Sequence, residues 1–424
     1  MTELAERIAR AVAEIEAEQT AFLQRIVRTP SQTGDEGAVQ QVVAAEMARL
    51  GLATDVWEPQ VADLAPWAES VETVESYHGR PNVVGTRRGT GDGRSLVLNA
   101  HIDTVEPGDP TAWDRPPLSG EIADGRLHGR GSCDMKAGLA TNLFAVEALR
   151  RAGFRLRGDV HVESTISEED GGAGALAAIV RGYRADAALI TEPTRLAIIA
   201  GQGGSLMFRL HVPGRSAHAC VRDEGVSAIE AFARLHQGLL AFEARRNRAI
   251  DDPLYASYAN KIPINIGTLR AGSWPSSVPE WLVAEGRAGM VPGEDLQTFK
   301  GVFRDEVARI AAGDPWLRDH PPTVEWLSGQ FAAAGVPADS PLVETLAAAH
   351  RAATGEAAPV EGVTYGADMR HFVLAGLMPC AMYGAGDVRL AHAPNESVPL
   401  DEVRTATRTV AGMLAAWCGV ADDA

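Results

Sequence analysis

Two histidines and a group of carboxylates occupy positions where a side chain can be exposed and still rigidly held: His101 and Asp103, Asp134, the pair Glu168-Glu169, Glu192 and the distant His392. In LNAHIDTV an apolar run ends in His-x-Asp, and because side chains alternate along a strand, His101 and Asp103 share a side. Asp103 is then placed to accept the second imidazole N–H and hold the ring for a metal; the alternative is a capped strand end with a solvated histidine. Asp134 lies in the glycine-rich GRGSCDMKAG before a long apolar run, where a carboxylate also serves as an N-cap. The adjacent acids of STISEEDGG repel one another unless a cation or proton compensates, although an acidic surface turn has the same pattern. Glu192 in LITEP precedes Pro193, which keeps its backbone extended, and His392 in RLAHAPNE is flanked by small residues and a turn.

Each residue alone has an ordinary explanation; the set has a chemical one. Two divalent ions need about one imidazole each plus shared oxygen ligands, one carboxylate bridging them at roughly 3.5–4 Å. His101, Asp134, Glu169, Glu192 and His392 meet that need, and Glu168 is left to take a proton from water. A mixed nitrogen and oxygen set suits two Zn2+ per chain, with Co2+ or Mn2+ as substitutes. Because such an ion lowers the pKa of water to about 7, the expected product is a hydrolase.

The elements that must position these residues form an α/β pattern. Helical periodicity covers the first fifty residues, with Leu4, Ile8, Val12 and Ile15 on one side and Gly51 as a stop. β-rich runs (NVVGTRR, SLVLNAHID, DVHVESTIS, ADAALITEP) then alternate with helical ones, which implies a largely parallel sheet flanked by helices. Ligands of such sheets bind beyond the carboxyl ends of strands, where His101, Glu168 and Glu192 fall. After about residue 202 the character changes to SLMFRLHVPG, a strong amphipathic helix, two further strands and a second helix, an α+β insertion. The expected division is 1–202 and 321–424 for the catalytic domain and 203–320 for the insertion, with 58–80 an acidic, poorly periodic loop.

The bulk numbers bound the function. A chain of 424 residues exceeds one ordinary core. A net charge of −17 argues against nucleic acid or an anionic membrane as partner. No run reaches the roughly 20 apolar residues of a membrane span, and the N-terminus lacks a signal-peptide core. Four cysteines without a C-x-x-C unit read as reduced thiols, so the expected location is the cytoplasm.

The motifs AHIDTV, GRGSCDMKAG, SEEDGG, the TEP turn, GRSAHA, YGADMR and AHAPNE together resemble the co-catalytic zinc metallopeptidase and deacylase family of acetylornithine deacetylase, succinyl-diaminopimelate desuccinylase, aminoacylase and glutamate carboxypeptidase. They run in that family's order from residue 99 to 396. The resemblance implies a zinc-peptidase-like catalytic domain, with His101 and Glu192 on one zinc, Glu169 and His392 on the other, and Asp134 bridging. It implies Asp103 as the orienter of His101, Glu168 as general acid and base, and a cis peptide at Asp134-Met135. It further implies that the inserted domain forms a homodimer and acts as a lid, and that its His218 polarises the substrate carbonyl, often across the dimer. Arg287 and Arg370 match positions that hold a substrate carboxylate in relatives, with Gly366 shaping the turn. Ser277 stands where many relatives carry asparagine, which unsettles one substrate contact, and Cys133 beside Asp134 replaces a small hydroxyl residue, an opening for oxidation.

The expected activity is therefore a dinuclear, metal-dependent amidohydrolase removing an N-acyl group from a small amine or amino acid. A dipeptidase or carboxypeptidase and an N-formyl aminopyrimidine-type deformylase are the enzymatic alternatives. A catalytically silent metal-binding dimer is the remote one, because every expected chemical position is filled.

Overall fold

The structure, a computed structural model, describes residues 2–71 and 74–421. The chain divides into two compact units, one of Met1–Ala200, Gly335–Glu361 and Ala367–Ala424, the other of Gly201–Ala334 and Gly362–Gly366.

Four strands run parallel at the centre of the first unit, in the order Val160–Thr165, Leu96–His101, Ala188–Ile190 and Cys380–Met382. Antiparallel strands flank them: Asn82–Arg87 and then Ala53–Trp57 on one side, Ile198–Gln202 on the other. All residues of the four central strands are buried. Helices cover a parallel sheet on both faces, so its strands have no polar side and read as unbroken apolar runs. The sheet is thus mixed, with a parallel centre whose carboxyl ends lie together.

Helix Ala137–Arg151 is buried from Ala137 to Leu149 and packs on Thr2–Arg28 and Leu400–Cys418. Its first turn approaches the sheet so closely that a Cβ at Gly138 would stand 2.2 Å from the Thr191 carbonyl oxygen, next to Glu192. The periodicity of the first fifty residues resolves into two helices, Thr2–Arg28 and Gly37–Arg49, because the intervening TPSQTGDE favours turns. Gly51, at φ +73°, ends the second: its N–H meets the Ala48 carbonyl while that of Leu52 reaches Met47. Within 58–80, expected to be a loop, the chain makes a helical turn at Val61–Leu64 and another at Ala65–Trp67; Glu72 and Thr73 lie outside the described residues.

The second unit is an antiparallel sheet in the order Ile264–Ala271, Trp281–Met290, Gly204–Pro213, Thr323–Trp326, with helices Ala228–Ala249 and Leu296–Ala311. Along Gly204–Pro213, Leu206, Phe208, Leu210 and Val212 alternate inward against Phe232, Leu235, Leu239, Phe299 and Phe303. Ser227 caps the first helix, accepting from the Glu230 N–H, and Asp295 caps the second through Thr298. The unit runs past residue 320, where the sequence reading ended it, because Thr323–Trp326 pairs with His211 to Phe208. Among the described residues no helix is long and apolar enough to cross a membrane. All four cysteines are free.

Candidate metal centre

The carboxyl ends of three parallel strands carry four of the candidate residues. His101 ends its strand, Glu168 and Glu169 follow Val160–Thr165 after Ser167 turns the backbone to φ +60°, and Glu192 follows Ala188–Ile190. Asp134 stands before the buried helix, joined to Met135 by the expected cis peptide. His101 Nε2 lies 3.1 Å from Asp134 Oδ1; His392 Nε2 lies 3.0 Å from Glu169 Oε2 and 3.6 Å from Asp134 Oδ2. One donor atom each from His101, Asp134 and Glu169 falls within 4.8 Å of the others. Asp134 therefore has an imidazole toward each of its oxygens.

The expected partner of Asp103 needs correction. His101 Nδ1 is 2.9 Å from the Asp103 main-chain oxygen and 3.6 Å from its carboxylate, so the carbonyl is the nearer acceptor for the ring N–H. The fully buried Asp103 carboxylate instead accepts from the main-chain N–H of Glu168 at 3.1 Å, that of Glu169 at 3.2 Å and the Thr33 hydroxyl at 2.9 Å. It holds the loop that carries Glu168 and Glu169, while the strand end itself orients His101.

Charge is the test of whether these residues fit a cation. With Nδ1–H donated to a carbonyl, the His101 Nε2 lone pair faces an anionic oxygen, an arrangement that a cation or a proton between them stabilises. Burial, reinforced by the neighbouring Asp368, pushes the Glu168 carboxyl well above its usual range. Burial and then Asp134 do the same to Glu192, and burial raises Glu169 against the opposing His392 bond. Burial acts against the charged forms of both His101 and Asp134, yet the Asp103 and then the Asp134 carboxylates raise the imidazole well above its ordinary value, and the His101 contact leaves the Asp134 carboxyl below its own. Carboxylates outnumber imidazoles here, and divalent cations would supply the missing positive charge. The donor set fits them.

The remaining predicted residues divide. Arg370 is 2 % exposed, with its guanidinium on main-chain oxygens: Ala367 at 3.3 Å, Ser70 at 3.1 Å and Gly171 at 2.6 Å. That corrects its reading as a clamp on substrate: it fastens the turn after Glu169 to its own strand-end loop. His218, Ser277, Arg287 and Gly366 belong to the second unit. His218 and Ser277 pair as a backbone bridge, and His218 Nδ1 accepts the Cys220 N–H at 3.2 Å, which leaves the ring proton on Nε2. The Arg287 Nε is buried without a hydrogen-bond partner. A Cβ at Gly366 would stand 2.6 Å from the Phe331 ring, so this glycine makes room for packing. Burial pushes the Cys133 thiol well up, which disfavours the reactive thiolate.

Two supports escaped the sequence reading. Arg80 pairs with the buried Glu36 at 2.6 Å and donates to Ser167 Oγ at 2.5 Å, bracing the turn before Glu168. Glu396, the last residue of AHAPNE, is buried against the loop of Asp134. Their acidic and basic types were visible; their partners are distant in sequence or belong to the main chain.

Histidines and carboxylates gathered beside the carboxyl ends of parallel strands are the donor types of a metal site. Residues 97–416 match Peptidase family M20/M25/M40, and the chain belongs to that family of amide-bond hydrolases. It is 29% identical over 413 residues to N-formyl-4-amino-5-aminomethyl-2-methylpyrimidine deformylase of Bacillus subtilis, covering 92% of this chain and 91% of that one. To acetylornithine deacetylase of Myxococcus xanthus it is 29% identical over 351 residues, 80% of this chain and 84% of the other. The fold is shared with the di-peptidase Dug1p of Saccharomyces cerevisiae at a TM-score of 0.74 and 13% identity, over 99% of each chain.

Proposed function

We propose that the protein hydrolyses the amide of an N-acylated small amine, with two divalent ions, Zn2+ foremost, and that its substrate class is the N-formyl aminopyrimidine type. The observation that carries the reaction is the convergence of His101, Asp134, Glu169, Glu192 and His392 beside Glu168. His101 and Glu192 would hold one ion and Glu169 and His392 the other, with Asp134 shared. When bound, the ions supply Lewis acidity that brings the pKa of water near neutrality and offsets developing negative charge.

The chain's own residues do the rest. Asp103 fixes the main chain of Glu168 and Glu169, so the Glu168 carboxylate is held where its backbone puts it. Glu168 accepts the proton of the attacking water and returns it to the leaving nitrogen. His218, protonated on Nε2, is in the form that donates to a carbonyl oxygen as negative charge develops.

Two findings favour an amine half without a carboxylate. Arg370 is committed to main-chain oxygens, and similarity to the deformylase spans nearly the whole chain. An N-acyl amino acid is the second reading, favoured by the buried, unpartnered Arg287 Nε, which could meet a substrate carboxylate. The proposal includes a cytoplasmic homodimer, checked by light scattering. The deciding experiment is turnover by metal-replete protein on N-formyl aminopyrimidine, N-formyl, N-acetyl and N-succinyl amino acids and dipeptides, with a chelated control. Preference for the formyl aminopyrimidine supports the proposal. Preference for N-acyl amino acids moves it to the second reading, and chelator-insensitive turnover refutes the metal.

A further inference from the structure

We propose that Glu396 is a positioning residue for both sides of the metal centre, a buried anion that locks the Asp134 loop to the His392 turn. This rests on the metal reading above. Glu396 has no exposed surface, and four N–H groups converge on its two oxygens. Oε2 accepts from Arg130 Nη1 at 2.7 Å and the Gly131 N–H at 3.0 Å; Oε1 accepts from the N–H of Cys133 at 2.8 Å and of Asp134 at 3.1 Å. Gly131 at φ +77° turns these amides toward one point, a concave anion-binding backbone. The carboxylate belongs to the turn that ends in His392-Ala393-Pro394-Asn395-Glu396, with His392 and Asn395 both at positive φ. The Asn395 side chain accepts the Asp114 N–H at 2.7 Å, and the Glu396 carbonyl accepts the Gly129 N–H at 2.9 Å. Two ligands 258 positions apart thus share one rivet.

The residue type is informative. An additional anion beside Asp134 is electrostatically unfavourable, and burial together with Asp134 raises the Glu396 carboxyl. A neutral amide would avoid that repulsion, but it has one acceptor oxygen and would turn its own N–H2 against two of the four donors. Only a carboxylate accepts all four. Partners that orient metal ligands from outside typically alter metal affinity by about 10–100-fold when removed.

The test uses the full-length protein, stripped with chelator and titrated with Zn2+ and Co2+. E396Q should keep the wild-type circular dichroism spectrum, lose amide-exchange protection at residues 131–134 without metal, weaken Zn2+ binding by about 10–100-fold and alter the visible Co2+ spectrum. R130K, which keeps the charge without the planar fork, should shift affinity in the same direction by less, and serves if E396Q fails to fold. Unchanged affinity, Co2+ spectrum and exchange in a folded variant overturn the inference. Absence of divalent binding by the wild-type protein overturns the metal reading instead, and in that case unchanged amide protection in E396Q would still overturn the lock itself.

Discussion

Replacing Arg370 separates a substrate clamp from a structural tie. The guanidinium donates to three main-chain oxygens from a position 2 % exposed. Burial lowers its pKa to about 10, with Asp368 and Glu168 working the other way. A hydrogen bond from a charged group contributes about 1.5–3 kcal/mol; two of these three share Nη2 and the third is long at 3.3 Å, so the full sum is not reached. Arg370→Ala also leaves Asp368, already without a hydrogen-bond partner on either oxygen, beside fewer positive charges. The expected loss is about 3–5 kcal/mol, the range for stripping one partner from a buried charged pair. Arg370→Lys, a single point donor, should lose about 1–3 kcal/mol. Chemical unfolding of the stripped protein gives these numbers, and kcat/KM on substrates with and without a carboxylate should fall in equal proportion. A clamp would behave oppositely: stability within about 1 kcal/mol of wild type, and a selective loss of about 10–100-fold on carboxylate-bearing substrates. That pair of results would refute the structural assignment of Arg370.

Glu168→Gln keeps the shape of the side chain and removes the proton acceptor, so turnover should fall by about 10²–10⁴-fold while the bound metal, measured by atomic emission, is unchanged; turnover within tenfold of wild type would dismiss Glu168 as the base. Glu163 is buried in the central strand Val160–Thr165, and burial, opposed by its Asn99 bond, raises its pKa to about 8. The folded state therefore holds a proton that the unfolded chain releases above about 4.3, and this contribution, complete below that pH, is lost as pH rises through about 8. Glu163→Gln should flatten that decline and gain on the order of 1–3 kcal/mol above pH 8; a parallel decline in both proteins would contradict the assignment. In the second unit, Phe303 is fully buried with its ring centroid 4.6 Å from that of Phe208 and 6.0 Å from that of Trp326. Phe303→Ala should destabilise that unit by about 3–5 kcal/mol in urea, and a cost below about 1 kcal/mol would show that this core is not packed around it.

What was legible in the sequence, and what was not, follows from where each residue finds its partner. The candidate donors His101, Glu168, Glu169 and Glu192 stand at or just beyond the carboxyl ends of buried parallel strands, where a His or Glu closing an apolar stretch shows well in a one-dimensional pattern, whereas Asp134 precedes a helix and His392 lies in a turn. The strand-helix alternation and the amphipathic second-unit helices were visible for the same reason. Asp103 was placed correctly beside His101, but its partner was misjudged: the direction of its carboxylate depends on the Glu168 loop folding back over it. Arg370 was read as facing substrate because its type suits a carboxylate, whereas its acceptors are three main-chain oxygens that no residue type reveals. Glu396 is the mirror image, an acid whose partners are chiefly main-chain N–H groups. Main-chain groups are present at every position and carry no sequence signal, so side chains that serve them are the ones pattern reading misassigns. Around this centre they are also the side chains that hold the loops of the candidate donors in place: Asp103 on the Glu168-Glu169 loop, Arg370 on the turn behind it and Glu396 on Asp134. The candidate donors could therefore be picked out by residue type alone, while their geometry depends on contacts that only the folded backbone creates.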